Sequence, residues 1–322
     1  MYWPKIWYGD SSWLRTLLTP ASWLYAGGWQ IYRAAYDLGI KRASRPYPLI
    51  VCVGNLTVGG SGKTPVTLHI ASVLQELGYE VAVSMSGYGA PHAEAAMFAP
   101  PGPLSAAEWG DEPALARTLH PSLDLIVGRR RVLAAQLMHE RFPDGKAVFL
   151  MDDGFQHLPL AKTVSIVLDP PTGNTRCLPA GPYREPRSNL RRATLVIGGG
   201  TSKFRVESQI AGWVDLNGKA VSPPVEAHLL CAIGRPQQFV EAVRAMGIRV
   251  LEVRTLPDHD PLTAGNLFVS LPGPVVVTSK DAVKLRERSD ADHLPVFVAR
   301  HEVVIEPAPE FRAFLKESLN SA

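Results

Sequence analysis

Cysteine is scarce in this chain of 322 residues, which contains only Cys52, Cys177 and Cys231. Their wide separation excludes the paired spacing of a disulfide framework or a cysteine-rich zinc site, and it favours a reducing compartment. The sequence also lacks internal repeats and low-complexity tracts. Apolar residues make up 46% of the chain, which indicates a globular protein, and the length predicts two domains.

A strong net charge is missing as well. Lysine and arginine outnumber aspartate and glutamate by 33 to 30, so the formal net charge is +3 at pH 7. A balance this small gives no reason to expect nucleic acid as a partner. A mildly basic protein suits an anionic ligand or a membrane surface.

The first forty residues lack a hydrophobic run long enough to span a membrane. The uncharged stretch Thr16–Tyr32 is 17 residues long and contains Pro20, whereas a spanning helix needs about 20 apolar residues. No small-residue cleavage site follows it, which argues against a signal peptide. Amphipathic aromatic side chains prefer membrane interfaces, so we predict an interfacial helical segment at 1–40; an aromatic helix packed on the protein's own core is the alternative. Five of the seven tryptophans lie there, namely Trp3, Trp7, Trp13, Trp23 and Trp29.

A glycine-rich stretch ending in Gly62-Lys63-Thr64 lies between the apolar run Leu49–Val53 and the helical pattern Val66–Leu77. This order predicts a phosphate-binding loop, in which backbone amides and a helix N-terminus attract phosphate. Lys63 is expected to reach the β- and γ-phosphates and Thr64 to hold Mg²⁺. Thr57 departs from the strict pattern, which has glycine there. The predicted nucleotide-binding residues are Thr57, Gly59, Gly60, Ser61, Gly62, Lys63 and Thr64.

Strand and helix patterns alternate after this loop. Such alternation predicts an α/β fold of the P-loop NTPase type, with a mostly parallel sheet covered by helices on both faces. Asn217-Gly218 is a hairpin turn signal, and a second α/β pattern follows it. We therefore predict an interfacial segment at 1–40, a P-loop domain at 41–208, a β-ribbon linker at 209–224 and a smaller α/β domain at 225–322.

Two carboxylates, Asp152 and Asp153, end the predicted strand Ala147–Met151. Carboxylates at this place in a P-loop protein predict a Mg²⁺ site shared with Thr64. An ordinary acidic turn after a strand is the alternative.

Three other motifs remain open on spacing alone. Asp111 lies in a Gly-Asp-Glu-Pro run that also fits ordinary helix-start chemistry. His259 lies between two aspartates, which could orient it or could form a surface turn. Arg129-Arg130-Arg131 opens a helix predicted at 129–142, and Arg184 lies in a proline-rich loop. Arginine suits phosphate because its planar fork makes paired hydrogen bonds, but both positions also fit solvated charge.

Together these motifs resemble the tetraacyldisaccharide 4′-kinase family, the lipid A 4′-kinases, in order over most of the chain. The motifs are the glycine-rich loop 54–65, Gly87-Tyr88-Gly89, Gly110-Asp111-Glu112-Pro113, Val127-Gly128 to Arg131, Asp152-Asp153-Gly154-Phe155-Gln156-His157, Leu178-Pro179-Ala180-Gly181-Pro182 to Arg184-Glu185-Pro186, Asp258-His259 and Thr278 to Leu285. The aspartate-rich run and the Pro-Ala-Gly-Pro run are the specific ones.

The resemblance implies transfer of the ATP γ-phosphate to the 4′-hydroxyl of a lipid A disaccharide 1-phosphate. It implies that Asp111 and His259 form a dyad that activates this hydroxyl, with Asp111 as proton acceptor. Asp152 and Asp153 would lie near Mg²⁺, while Arg131, Arg184 and Gln156 would contact phosphates or substrate. It also implies a peripheral or monotopic protein at the cytoplasmic face of the bacterial inner membrane.

Some positions depart from the family pattern. Met85-Ser86 replaces a usual Ser-Arg, which leaves a phosphate contact there in doubt, and Ser279 and Asp260 are also unusual. Two other classes of function stay open. A P-loop nucleotide hydrolase acting as a switch or chaperone would use the same loop, whereas a membrane-bound structural protein would leave the loop unexplained.

Overall fold

The computed structural model describes residues 6–7, 12–60, 62–198, 202–269, 271–288, 290–291 and 294–321. The strands are β1 (Ile50–Asn55), β2 (Val81–Met85), β3 (Met97–Phe98), β4 (Asp124–Val127), β5 (Val148–Asp152), β6 (Val164–Leu168), β7 (Leu195–Ile197), β8 (Arg205–Val214), β9 (Glu226–Cys231), β10 (Arg249–Thr255), β11 (Val275–Thr278) and β12 (Val296–Glu306). The α-helices are α1 (Ser12–Asp37), α2 (Lys63–Glu76), α3 (Ala106–Trp109), α4 (Asp111–Leu119), α5 (Arg131–Arg141), α6 (Pro236–Ala245), α7 (Ser279–Leu285) and α8 (Ala308–Asn320).

The chain divides into two compact units, each built from separate stretches. Unit 1 comprises the described residues of Met1–Ser84, Arg131–Val206 and Ile305–Ala322. Unit 2 comprises those of Met85–Arg130 and Glu207–Val304. The four-part division of the sequence into 1–40, 41–208, 209–224 and 225–322 remains a prediction.

Unit 1 contains a run of parallel strands in the order β2-β5-β1-β6-β7. Every residue of β1 and β5 is buried, as expected for parallel strands covered on both faces. Val53 of β1 pairs with Asp152 of β5, so the two strands end side by side. Ligand-binding groups in such sheets gather at this carboxyl edge. The α/β prediction is confirmed.

Unit 2 contains a second sheet in the order β10-β9-β11-β12-β8. Its strands β9 to β12 pair in parallel, and apolar clusters lie around Leu230 and Val277 and around Leu229 and Val276. These residues alternate along the strands, so the two clusters cover opposite faces of the sheet. Nearby, α4 packs on α7 through Ala114, Leu115 and Val283.

The predicted hairpin turn is present in the structure, whereas one predicted helix begins later than expected. The turn at Asn217-Gly218 is confirmed, since Val214 and Ala220 form an antiparallel bridge around it. The helix predicted at 129–142 was wrong at its start, because α5 begins at Arg131. Gly128 has a φ of 149°, and the Arg129 amide donates outside the helix to the Ala93 carbonyl at 2.9 Å. Of the three arginines, only Arg131 therefore belongs to the helix.

Candidate active site

The predicted phosphate-binding loop follows β1 and ends where α2 begins at Lys63. Gly59 and Gly62 have φ values of 101° and 74°, in the left-handed region that glycine enters at little cost. Thr57 has no positive φ and forms an antiparallel bridge with Tyr183, so a side chain fits where the strict pattern has glycine. Gly60 is exposed beside Gly59, and the predicted contact at Ser61 lies outside the described residues.

Asp152 is held by two hydroxyl groups at the start of α2. Thr64 Oγ1 donates to its Oδ2 at 2.8 Å, and Thr67 Oγ1 donates to its Oδ1 at 2.9 Å. The carboxylate is buried. Burial and the neighbouring Asp153 raise its pKa, although the two hydroxyl groups oppose this effect. The sequence placed Thr64 here, and the structure adds Thr67 one turn later.

Thr67 offers a test of this arrangement. Replacing it with valine would leave one oxygen of a buried carboxylate without its donor. We expect Thr67→Val to lower the free energy of unfolding by about 1–3 kcal/mol in urea denaturation. Thr67→Ser keeps the hydroxyl and serves as the control. Equal stability of the valine and serine variants would contradict this role for the hydroxyl.

Asp153 leaves the strand and adopts a left-handed φ of 51°. Its carboxylate accepts a forked pair of hydrogen bonds from Arg184, at 2.8 and 3.1 Å, and lies 3.7 Å from Lys63 Nζ. Burial alone would raise the pKa of Asp153, but Lys63 and Arg184 outweigh it and lower the pKa. Asp152 and Asp153 are thus adjacent carboxylates with opposite pKa shifts.

Arg131 and Gln156 fix the backbone around these carboxylates. Arg131 is buried and donates to Ser84 Oγ at 2.7 Å and to the Asp152 carbonyl at 2.8 Å. Gln156 donates to the Asn55 carbonyl at 2.7 Å and to Glu185 at 3.0 Å. In unit 1, the structure thus brings the predicted residues Lys63, Thr64, Asp152, Asp153, Arg131, Arg184 and Gln156 to one edge of the sheet.

Asp111 and His259 form a separate cluster of predicted residues, within unit 2. Asp111 is the first residue of α4, preceded by Gly110 with a φ of 90°, and His259 lies in a turn with a φ of 64°. His259 Nδ1 lies 3.0 and 3.2 Å from the two carboxylate oxygens of Asp111. The side chain of Asp111 is 10% exposed and that of His259 is 33% exposed. The imidazole is therefore the more accessible member of the pair.

Two lysines of α7 complete this cluster. Lys280 Nζ lies 3.5 Å and Lys284 Nζ 3.6 Å from Asp111 Oδ2. Burial would raise the pKa of Asp111, but the His259 hydrogen bond and the two ammonium groups hold it well below its usual range. The same hydrogen bond raises the pKa of His259, while burial and Lys280 oppose it. Asp111 is therefore an anion, which makes Nδ1 of His259 the donor of their hydrogen bond.

Known proteins match this chain along nearly its whole length. A family model described as LpxK, tetraacyldisaccharide-1-P 4′-kinase, matches residues 14–320. The chain belongs to this family. The predicted membership is confirmed.

Curated relatives and a solved structure agree with the family. A tetraacyldisaccharide 4′-kinase of Aromatoleum aromaticum is 36% identical over 309 residues and covers 90% of each chain. One from Shewanella baltica is 37% identical over 300 residues, which is 88% of this chain and 86% of the relative. The crystal structure of LpxK from Aquifex aeolicus in complex with ATP superposes with a TM-score of 0.80 at 26% identity, over 95% of this chain and 99% of the other.

Sequence reasoning missed several residues at these two places in the family fold. Thr67, Lys280 and Lys284 were not assigned, and neither was Glu185, which is fully buried and accepts a hydrogen bond from Asn189 at 2.8 Å. Spacing could have pointed to Thr67, which is three residues after Thr64 and so lies on the same face of α2. No comparable signal links α7 to Asp111, because that contact depends on tertiary packing.

Proposed function

We propose that this chain transfers the γ-phosphate of ATP to the 4′-hydroxyl of a tetraacyldisaccharide 1-phosphate, a lipid A precursor. The Asp111–His259 pair carries the proposal. A sugar hydroxyl becomes a competent nucleophile only when its proton has an acceptor, and an accessible imidazole held by a carboxylate supplies one. The family match over residues 14–320 also favours this kinase over a hydrolytic switch.

We assign nucleotide binding to unit 1. The backbone amides of Gly59, Gly60 and Gly62 and the N-terminus of α2 would hold the phosphates, and Lys63 would neutralise them. Lys63 is paired with Asp153 at 3.7 Å, a distance loose enough for the ammonium to turn toward phosphate. Arg184 keeps Asp153 charged and in place through its forked contact.

The oxygen donors of unit 1 suit Mg²⁺. Thr64 Oγ1 and Asp152 Oδ2 lie 2.8 Å apart, and both are hard oxygen ligands. Among the described residues no group of three or more His, Cys, Asp or Glu side chains could hold a metal. That agrees with Mg²⁺, which takes one or two carboxylates together with substrate phosphates rather than a closed protein cage. The bound ion would neutralise charge developing on the phosphate oxygens.

The group that accepts the proton of the 4′-hydroxyl lies in unit 2. Nδ1 of His259 is occupied by Asp111, so we place the accepting lone pair on Nε2 and give Asp111 the task of orienting the ring. The proton passes from the 4′-hydroxyl to Nε2 while the hydroxyl oxygen bonds to the γ-phosphorus. The bond from that phosphorus to the β–γ bridging oxygen breaks, and its electron pair leaves on ADP. The imidazolium then loses its proton to water.

An assay with radiolabelled ATP, Mg²⁺ and the disaccharide 1-phosphate in detergent tests the proposal. We expect label in the lipid with the natural protein and none with Lys63→Ala. Lipid-independent release of phosphate without labelled lipid would instead support the hydrolytic switch.

We further propose that α1 lies in the membrane–water interface. Ser22 and Tyr25 fix one side of the helix by donating to the carbonyls of Cys177 and Arg184, each at 2.8 Å. Part of the segment thus packs on the protein, as the alternative prediction had it. Large apolar side chains remain exposed on α1, namely Trp13, Leu17, Trp23, Leu24 and Ile31. A helix in the membrane–water interface would have both features, one side packed on the protein and an exposed apolar side.

The side of the membrane follows from the nucleotide. ATP is a cytoplasmic substrate, so a kinase that uses it on a lipid would work at the cytoplasmic face of the inner membrane. Among the described helices none is long and apolar enough to cross a bilayer.

The membrane proposal predicts that the apolar side of α1 sets vesicle affinity. Trp23 and Leu24 are 71% and 79% exposed. We expect Trp23→Gln/Leu24→Gln to weaken sedimentation with phosphatidylglycerol-containing vesicles by roughly tenfold or more, since each buried apolar side chain contributes about 1.5–3 kcal/mol. Val225→Gln is the matched control, because Val225 is 86% exposed in unit 2. Equal binding of the two variants would contradict the assignment.

A further inference from the structure

The short helix α7 presents two lysines toward the dyad. Lys280 and Lys284 are four residues apart, so they share one helix face, where like charges repel. Lys284 is buried and donates to the Asp260 carbonyl at 2.9 Å, and it pairs with Asp281 at 3.4 Å. These partners fix Lys284 inside the fold. Lys280 has a different environment, closer to the exposed imidazole.

Lys280 Nζ lies 3.4 Å from His259 Nε2. An ammonium group can only donate, so this contact requires a lone pair on Nε2. On the other side of the ring, ionised Asp111 requires a proton on Nδ1. The two neighbours therefore select the same neutral tautomer of His259 from opposite sides. That tautomer is the one a general base needs, with an unprotonated Nε2.

We propose that Lys280 is a positioning residue that orients the lone pair on Nε2 of His259 and opposes its protonation, and that it yields Nε2 to the substrate hydroxyl. The inference rests on the proposed function for the identity of that hydroxyl. The ammonium group of Lys280 keeps other acceptors when it leaves Nε2, because its Nζ already lies 3.2 Å from Asp258 and 3.5 Å from Asp111. After proton transfer, the ammonium also disfavours the imidazolium and so speeds release of the proton.

The charges around His259 set the direction of the expected effect. Its hydrogen bond with Asp111 raises the pKa of His259, burial and Lys280 lower it, and Asp258 raises it. More distant charges act through these neighbours. They are Lys284 and Asp281 behind Asp111, Glu112 acting on Lys280, and Arg129 over the ring of Tyr88, which lies 5.9 Å from the imidazole. Removing Lys280 deletes the one nearby cation that contacts the ring directly, among the described residues.

The pH dependence of kcat/KM for lipid phosphorylation tests this role. We expect Lys280→Met to shift the acid limb upward by about 0.5–1 pH unit, because loss of a nearby positive charge makes the imidazole easier to protonate. Lys280→Arg, which restores a cationic donor, should move the limb back toward its natural position. Lys219→Met is the matched control, since Lys219 is exposed at the hairpin turn of the same unit. A loss of kcat with an unmoved acid limb would overturn the proposal.

A second measurement does not depend on activity. Imidazole NMR titration of the substrate-free protein, with the His259 signal assigned by its loss in His259→Gln, should show a higher pKa in Lys280→Met than in the natural protein. Lys280→Gln serves if the methionine variant does not fold. An unchanged titration would refute the role of Lys280. Failure of lipid labelling by the natural protein, together with a shifted titration, would instead overturn the proposed function and leave the placement of Lys280 supported.

Discussion

Replacing His259 with alanine is expected to lower kcat for lipid phosphorylation by roughly 10²–10⁴-fold, the usual contribution of a general base. The dissociation constant of ATP should stay unchanged, because the phosphate-binding loop lies in unit 1 and His259 lies in unit 2. Single-turnover transfer and equilibrium binding of a fluorescent ATP analogue would measure the two quantities separately.

Asp111, the hydrogen-bond partner of His259, provides a second variant for this experiment. Asp111→Asn keeps the shape of the side chain but removes the negative charge that fixes Nδ1 as the donor. We expect a loss similar to that of His259→Ala, and a double variant little worse than either single one, because the two residues act as a unit. Additive losses would show that they act independently. Full turnover by His259→Ala would remove the imidazole from the mechanism.

The pH profile of the natural protein is linked to the same imidazole. Its hydrogen bond with Asp111 raises the pKa of His259 above the ordinary value of 6.5. A base must be unprotonated to work, so activity should rise with pH through that raised pKa. The linked stability has the opposite sign, because the folded state favours the protonated ring; this contribution is present below pH 6.5 and is lost as pH rises through the raised pKa.

Local sequence was enough to predict the cluster of site residues in unit 1. A strand, a glycine-rich loop and a helix adjacent in sequence fix the phosphate-binding loop, and Asp152 ends the strand β5 that pairs with β1. Parallel strands place such segments at a common edge whatever the details of packing. Thr57 could be accepted at a glycine position because the loop needs left-handed backbone at Gly59 and Gly62 instead.

The cluster in unit 2 could not be predicted from spacing. Asp111 and His259 are 148 residues apart, and each also fits a common local role, a helix start or a surface turn. Only the family resemblance joined them. The contacts of Lys280 and Lys284 depend on α7 packing against α4 through Leu115 and Val283, which no local pattern encodes. The false helix start at Arg129 has a similar origin, since the tertiary contact with Ala93 holds that backbone outside the helix.

The adjacent carboxylates of unit 1 should respond to neutralisation in opposite ways. At pH 7.5 and without nucleotide, we expect Asp152→Asn to raise the melting temperature by roughly 2–4 °C, the shift that about 1 kcal/mol produces in a large domain. Burial raises the pKa of Asp152, so the fold disfavours its charged form, and a neutral isostere relieves that cost. The hydroxyls of Thr64 and Thr67 can rotate to keep their hydrogen bonds to an amide.

Asp153→Asn is the matched comparison, with the opposite expected sign. Lys63 and Arg184 lower the pKa of Asp153, so its charge stabilises the fold above the unfolded pKa, near 3.8, and that stability is lost as pH falls. Its neutral variant should therefore melt at a lower temperature than the natural protein. Both variants should lose phosphate transfer, by roughly 10²–10³-fold for Asp152→Asn, because its charge would support Mg²⁺. If Asp152→Asn gains stability and loses activity, the Asp152 carboxylate serves catalysis at a cost to the stability of the fold. If the melting temperatures of both variants shift in the same direction, the charges of Asp152 and Asp153 do not have opposite effects on stability.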